Sequence, residues 1–213
     1  MVWIILTLLR LVVPFSILRW PLFGVLVSSI LDFNDYYYLK QAGFDMHQYQ
    51  IWDKILDTYY LGFAAYTALA WKENLAKRIA IGSFLYRAFG VLIVIFTNTR
   101  ELLLFFPNFF ENFFIFYLVF RLFRKLNLFI SKKVLIIIVS SILIPKLLQE
   151  YLMHFAKTSP TKIFDLSELP AIGAFLPRPP DDFVQVILYF TLPVAVFIWV
   201  LKTGSEKRKD HVK

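Results

Sequence analysis

Four aspartates in the first quarter of the chain are spaced so that they can act together. Asp32 and Asp35 are three residues apart, and Asp53 and Asp57 are four apart. Residues at these separations project from one face of a helix, so each pair presents two carboxylates on the same side. If the two helices are neighbours, as their short connection indicates, the four carboxylates converge. Because such a cluster repels itself, the spacing predicts a divalent cation such as Mg²⁺, which could hold a phosphate group.

The order of these aspartates resembles the signature of the CDP-alcohol phosphotransferases. That family carries the pattern D-x2-D-G-x2-A-R-x8-G-x3-D-x3-D across its second and third transmembrane helices. Here 17 residues separate Asp35 from Asp53, which equals the family spacing. The stretch Leu6–Arg10, followed by Pro14, is also similar to the L-T-x-x-R opening of the family. The likeness ends at Asp57.

The resemblance implies a role for each of these residues. Asp32, Asp35 and Asp53 would be ligands of Mg²⁺ or Mn²⁺, and Asp57 would be the base that activates an acceptor alcohol. Lys40 stands where the family has an arginine, so it would keep a positive charge for substrate phosphate. The implied function is a phosphoalcohol transferase of lipid metabolism. Its implied partners are membrane lipid and a nucleotide-linked alcohol. A homodimer is possible, although the sequence does not determine the oligomeric state.

The same aspartates also have a purely structural interpretation. Aspartates at the ends of membrane helices are often solvated caps in the headgroup layer. Asp53 and Asp57 would then lie at a helix N-terminus, where negative charge is favourable. The sequence leaves both interpretations open.

Two arginines, Arg10 and Arg87, lie within apolar segments. A charge at the middle of a membrane costs at least ~2.5–3.5 kcal/mol, so each arginine needs a partner or a wet cavity. Arg10 is expected to extend toward a nearby surface. Arg87 is deeper, which makes it a candidate for substrate binding, with the aspartates, Glu111 or Glu150 as its expected partners.

A second polar stripe supports a different class of function. Lys146, Glu150 and His154 are spaced four apart and would form one polar face of a helix. Titratable residues that face the interior of a bundle are typical of transporters. The alternative function is therefore a non-catalytic or transport protein with a buried polar site. The stripe is equally compatible with a helix end that enters the headgroup layer.

The elements that position these residues are predicted to be membrane helices. The composition, 59% hydrophobic and only 18% charged, differs from that of a soluble domain. The apolar residues form blocks near the roughly 20 residues that a crossing helix needs. We predict an all-α polytopic bundle of six or seven spans, forming one domain over residues 1–213 in the cell membrane. The candidate spans are Val2–Leu18, Trp20–Tyr38, Ile55–Trp71, Ile79–Thr97, Phe109–Phe123, Val134–Phe155 and Phe183–Leu201.

The first two of these segments are joined only by Arg19, Trp20 and Pro21. They form either two crossings or one interfacial helix followed by one crossing. Basic loops indicate the orientation, because excess Lys and Arg faces the cytoplasm. The loop Arg121–Lys133 and the tail Lys202–Lys213 would be inside, which places the aspartates outside. In the family they lie inside, so their sidedness stays open.

The charge and the composition also exclude several classes. The net charge of +8 is explained by the basic loops, so nucleic-acid binding is not expected. The chain contains no cysteine, which excludes disulfides, thiolate metal sites and cysteine nucleophiles. It also has no phosphate-binding glycine loop and no G-x-S-x-G or H-E-x-x-H motif.

Overall fold

The computed structural model describes residues 2–122, 132–154 and 191–199. Within these ranges all regular structure is helical and no strand occurs, which confirms the predicted all-α class. The chain divides into two compact units, residues 1–123 and 124–213. The first unit holds the aspartates and is described in most detail.

The first unit is a series of helices joined by short connections. Its helices are α1 Val2–Val12, α2 Phe15–Arg19, α3 Pro21–Gln41, α4 Met46–Ala68, α5 Asn74–Thr97, a 3₁₀ helix Arg100–Leu104, and α6 Phe109–Leu122. In the second unit, α7 spans Lys132–His154, and residues 191–199 are helical. The predicted span Phe183–Leu201 lies largely outside the described residues.

Three helical stretches of the described ranges are long and apolar enough to cross a membrane. They are Val2–Arg19, Asn74–Thr97 and Leu102–Leu122. α3 and α4 have sufficient length, at 21 and 23 residues, but each carries three charged side chains that lower its hydropathy. The apolar part of α7, Ile136–Leu148, is shorter.

The tight reversal between α2 and α3 depends on Pro21 and Gly24. Trp20 leaves the helical conformation with φ −131° and ψ 75°, and Pro21 then occupies the first turn of α3, where its missing N–H is not needed. Gly24 packs directly on α2, since a Cβ atom there would lie 2.5 Å from the backbone nitrogen of Ile17. Only glycine permits this approach, which brings α1 and α2 alongside α3.

α3 runs antiparallel to α1 and α2 on one side and to α4 on the other, as the contacts show. Ile17 meets Gly24 across the α2–α3 turn, and Arg10 meets Asp35 farther from it. Asp35 in turn meets Tyr49 near the α3–α4 turn. The core beyond them is strongly aromatic, because α6 buries one face at helical spacing. That face comprises Phe110, Phe113, Phe114 and Tyr117.

The aspartates do not lie at helix ends. α3 continues six residues past Asp35 to Gln41, and α4 begins at Met46, seven residues before Asp53. No acidic residue lies in the first turn of α4. The interpretation of Asp53 and Asp57 as N-terminal caps is therefore wrong, because the helix starts well before the apolar segment from which its start was predicted.

Candidate functional site

The guanidinium of Arg10 lies at the centre of the four aspartates, which we call the aspartate cluster. Its Nη2 donates to Asp32 Oδ1 at 2.6 Å and to Asp57 Oδ1 at 2.7 Å. Its Nη1 donates to Asp53 Oδ1 at 3.2 Å and also to Asp35 Oδ2. One planar group from α1 thus binds carboxylates from both α3 and α4.

The sequence spacing explains this convergence. Asp32 and Asp35 lie one turn apart on α3, and Asp53 and Asp57 lie one turn apart on α4, so each pair faces one direction. The two helices are adjacent and antiparallel, which turns the pairs toward each other. The structure therefore brings together all four of the aspartates that the sequence singles out.

The cluster is largely removed from solvent. Asp35 is fully buried, Asp53 and Asp57 are each 8% exposed, and Arg10 is 4% exposed. Asp32 is more accessible, since its side chain retains 29% exposure. The expectation that Arg10 extends to a surface is wrong, because four buried carboxylates are stronger partners than a route to the headgroups. Asp32 marks the side from which the cluster can be reached.

Lys54 is a second cation at the cluster that the sequence analysis did not single out. Its Nζ lies 2.6 Å from Asp53 Oδ2 and 3.2 Å from Asp57 Oδ2. The cation pairs of Arg10 and Lys54 leave two of the four negative charges uncompensated among the groups in contact. A buried excess of charge is costly unless another positive group approaches it. The contacts within the cluster therefore leave an excess of negative charge that a bound cation would reduce.

Aromatic side chains surround the other side of the cluster. The Tyr49 hydroxyl donates to Asp35 Oδ1 at 2.5 Å and lies 3.3 Å from Asp53 Oδ1. The ring of Tyr36 packs 5.7 Å from that of Tyr49, measured between centroids. Trp52 lies against Arg10, with the guanidinium carbon 5.3 Å from its ring centroid. Tyr36 and Tyr49 occupy the glycine positions of the family pattern, so aromatic rings fill space that glycine would leave open.

The donor set fits a hard divalent cation. Asp32, Asp35 and Asp53 each offer one carboxylate oxygen, and these three atoms lie within 4.8 Å of one another. Carboxylate oxygens are the ligands that Mg²⁺ and Mn²⁺ prefer. These three residues are also the metal ligands that the family resemblance implies.

Ser28 adds an unsatisfied polar group beside the cluster. It lies one turn before Asp32 on α3 and is 4% exposed, and its hydroxyl has no hydrogen-bond partner among the described residues. Together with Arg10, Pro14, Leu31 and Tyr60 it lines a narrow void. Unpaired buried hydroxyls are uncommon, because desolvation without a hydrogen bond costs free energy.

Arg87 binds the backbone rather than a carboxylate. It is 6% exposed, and its Nη1 donates to the carbonyl of Phe106 at 2.5 Å, directly before Pro107. Tyr86 donates in the same way to the carbonyl of Phe105. Arg87 makes no ion pair with a described acidic residue, although it is near enough to Asp57 and Lys54 to interact electrostatically. The structure thus places Arg87 next to the cluster and ties it to the turn before α6.

The remaining sequence candidates lie apart from the cluster. Lys40 is exposed, with its Nζ 5.7 Å from the ring centroid of Tyr36. Glu111 accepts hydrogen bonds from Ser29 and from Asn108 Nδ2, the latter at 2.8 Å. The stripe of Lys146, Glu150 and His154 belongs to α7 in the second unit, and the side chains of Glu150 and His154 lie outside what the structure describes.

Comparison with protein-family models, with curated proteins and with solved structures finds no match for this chain.

Sequence reasoning missed the two partners of the cluster that come from α4, Tyr49 and Lys54. Lys54 lies between Asp53 and Asp57 in sequence, so a lysine inside an acidic i, i+4 pair could have indicated it. Tyr49 lies one turn before Asp53, and its position on the same helical face was readable once the helix was known to begin at Met46.

Proposed function

We propose that this protein is a divalent-metal-dependent transferase of phosphoalcohol groups in membrane lipid metabolism, similar to the CDP-alcohol phosphotransferases. The observation that carries the proposal is the convergence of Asp32, Asp35, Asp53 and Asp57 from two antiparallel helices. Their order and spacing are those of the family pattern. A helix-end origin for these carboxylates would not require them to meet.

Each aspartate has a separate task in this proposal. Asp32, Asp35 and Asp53 would hold Mg²⁺ or Mn²⁺, which when bound supplies positive charge for a diphosphate group. Asp57 accepts the proton of the acceptor hydroxyl as that oxygen attacks the donor phosphorus and the bond to the leaving nucleotide breaks. Asp57 Oδ1 is paired with Arg10 and Oδ2 with Lys54, so the acceptor hydroxyl would approach a remaining lone pair on one of these oxygens.

The proposal includes a multi-pass arrangement of six or seven spans in the cell membrane. α3 and α4 are each long enough to cross, and the three carboxylates Asp35, Asp53 and Asp57 are buried against Arg10 and Lys54 rather than facing outward. Charged residues within membrane helices are tolerated when they pair inside the bundle. This pairing supports crossings by α3 and α4 despite their lower hydropathy.

The experiment that tests the function is a transfer assay with the full chain in nanodiscs. A panel of CDP-alcohols and lipid acceptors is supplied with Mg²⁺ or Mn²⁺, and released CMP is measured. We expect metal-dependent release that Asp57→Asn lowers by at least about 100-fold, since general-base catalysis contributes this much. Asp45→Asn is the matched control, because Asp45 lies in the exposed connection between α3 and α4. Release that persists in Asp57→Asn, or none with any metal, would contradict the proposal.

Sidedness gives an independent test. A single cysteine is introduced into the loop that connects α3 and α4, at the exposed Ala42, and treated in intact cells with a reagent that cannot cross the membrane. Use of cytoplasmic CDP-alcohols requires this loop to be protected from outside. Labelling from outside would exclude such donors.

A second candidate function is a non-catalytic or transport protein, and one observation favours it. Every aspartate of the cluster is already bound by Arg10, and Tyr49 fills the space beside Asp35 and Asp53. In this case the cluster and the group around Glu111 would hold the bundle together or bind a small solute. The transfer assay separates the two functions, because only the transferase releases CMP.

A further inference from the structure

We propose that Arg10 determines the affinity and selectivity of the cation site, because its guanidinium occupies the place of the cation and only a divalent ion displaces it. This inference rests on the proposed metal-dependent function, and it assigns to Arg10 a role that neither the spacing of the aspartates nor the family pattern supplies. Arg10 is a positioning residue here rather than a catalytic one.

The first step is the geometry of Arg10. Its two terminal nitrogens contact all four aspartates, including the three that would ligate a metal. A divalent ion at this group would be held by oxygens of the same three carboxylates. An ion and the guanidinium therefore compete for the same side chains.

The second step is the charge. Exchange of a monovalent ion for Arg10 replaces one positive charge by another, and the ion loses its hydration shell without an electrostatic gain. A divalent ion brings one additional charge to a cluster in which two carboxylates remain uncompensated. Displacement of the guanidinium is therefore electrostatically favourable only for the divalent ion.

The third step is the place to which Arg10 can move. The buried hydroxyl of Ser28 lacks a hydrogen-bond partner and lines the same void as Arg10. A guanidinium that leaves some of the carboxylates can donate one hydrogen bond to this hydroxyl, which then has the partner that it lacks. The unpaired Ser28 is the observation, independent of the aspartates, that indicates a second position for the arginine.

The experiment measures Mn²⁺ binding to the full chain in nanodiscs by the electron paramagnetic resonance signal of the free ion. Wild type is compared with Arg10→Gln, which removes the charge, and with Arg10→Lys, which keeps it as a point charge. The matched control is Arg19→Gln, at an exposed arginine at the end of α2. Each titration is done in K⁺ and in tetramethylammonium at equal ionic strength, so that competition by a monovalent ion is separated from screening.

We expect Arg10→Gln to bind Mn²⁺ at least about tenfold more tightly than wild type, because a competing charge in contact with the ligands is gone. K⁺ should weaken binding to Arg10→Gln more than tetramethylammonium does, and the two salts should act equally on wild type. The Mn²⁺ affinity of Arg10→Lys should lie between those of wild type and Arg10→Gln. This variant tests the inference if Arg10→Gln does not fold. Ser28→Ala should weaken Mn²⁺ binding in the wild-type background and leave Arg10→Gln unchanged.

The outcomes separate this inference from the proposed function. Equal or weaker Mn²⁺ binding by both Arg10 variants, with binding by wild type, overturns the inference and leaves the metal site standing. Binding by Arg10→Gln alone shows that Mn²⁺ does not displace Arg10 in wild type, so it overturns both the inference and a metal-dependent activity of wild type. Absence of binding in wild type and in both folded Arg10 variants overturns the metal site and the inference together.

Discussion

Arg10 and Arg87 are both arginines buried within helices of apolar sequence, yet they bind different kinds of partner. Arg10 donates to four side-chain carboxylates, whereas Arg87 donates to the backbone carbonyl of Phe106. A carboxylate can exchange its arginine for another cation, but a buried carbonyl at a helix break needs a hydrogen-bond donor. A buried arginine therefore indicates that a partner exists, and the identity of the partner decides whether the position can exchange ions.

The surroundings of the two arginines differ in the same way. Around Arg10 the negative charges outnumber the cations that contact them. Around Arg87 the turn before α6 is closely packed, with Tyr86 bound to the carbonyl of Phe105 and Gly90 in direct contact with the ring of Phe106. We therefore expect the contacts of the first region, around Arg10, to change when a cation binds. The second region, around Arg87, is a fixed support for α6.

The largest expected effect is the difference in stability between variants that lack Arg10 and variants that lack Arg87. Arg10→Gln should lower the free energy of unfolding by about 3–5 kcal/mol in the absence of divalent ions, because it leaves buried carboxylates without their partner. Arg87→Gln should lower it by about 1.5–3 kcal/mol, the range for a hydrogen bond to a charged group. Thermal unfolding in nanodiscs measures both.

Addition of Mn²⁺ sharpens this comparison. The ion should restore much of the stability of Arg10→Gln, since binding to the folded state alone raises its stability. It should not restore Arg87→Gln beyond the increase seen in wild type. Equal recovery of the two variants would show that the regions do not differ as described.

A smaller effect tests the packing of the second region. Gly90→Ala should destabilise the protein by about 1–3 kcal/mol, because its Cβ would overlap the first side-chain atoms of Phe106. Gly82→Ala on the same helix is the matched control, since no atom lies within 4 Å of the position of its Cβ. It should be neutral or slightly stabilising, because alanine is the better helix former. Equal melting temperatures for the two variants would contradict the close packing of Phe106.

The sequence was sufficient for the helical class and for the aspartate cluster, for a common physical reason. Apolar blocks and i, i+3 or i, i+4 spacing are local properties, and a short connection is enough to bring α3 and α4 together. The partner of Arg10 could not be deduced, because it depends on how α1 packs against α3. That packing is set by the contact of Gly24 with the backbone of Ile17, which no spacing rule contains.

Helix boundaries were the other limit. The apolar span was predicted to begin at Ile55, whereas the helix that contains it begins at Met46. Polar residues such as Tyr49 and Asp53 interrupt the apolar pattern without interrupting the helix, because their partners lie inside the bundle. The partner of Arg87 was missed for a related reason, because a backbone carbonyl cannot be recognised from residue types. The only indication of it in the sequence is Pro107, which directly follows the Phe106 carbonyl.

The smallest expected effect concerns an exposed carboxylate, in contrast to the buried carboxylates of the cluster. Glu73, in the exposed connection before α5, accepts a hydrogen bond from the Tyr117 hydroxyl, and this holds the pKa of Glu73 below its ordinary value of 4.5. A carboxyl whose pKa is lower in the folded state stabilises the fold above the unfolded pKa, and this contribution is lost as the pH falls through the folded pKa. Tyr117→Phe keeps the ring stacked on Trp71, so it should cost less than about 1 kcal/mol at neutral pH and progressively less in acid. The free energy of unfolding measured from about pH 7 down to about pH 3 checks this. In the Glu73→Gln background, the cost of Tyr117→Phe is expected to be independent of pH. A difference between wild type and Tyr117→Phe that stays constant over this range would show that the hydrogen bond does not depend on the charge of Glu73.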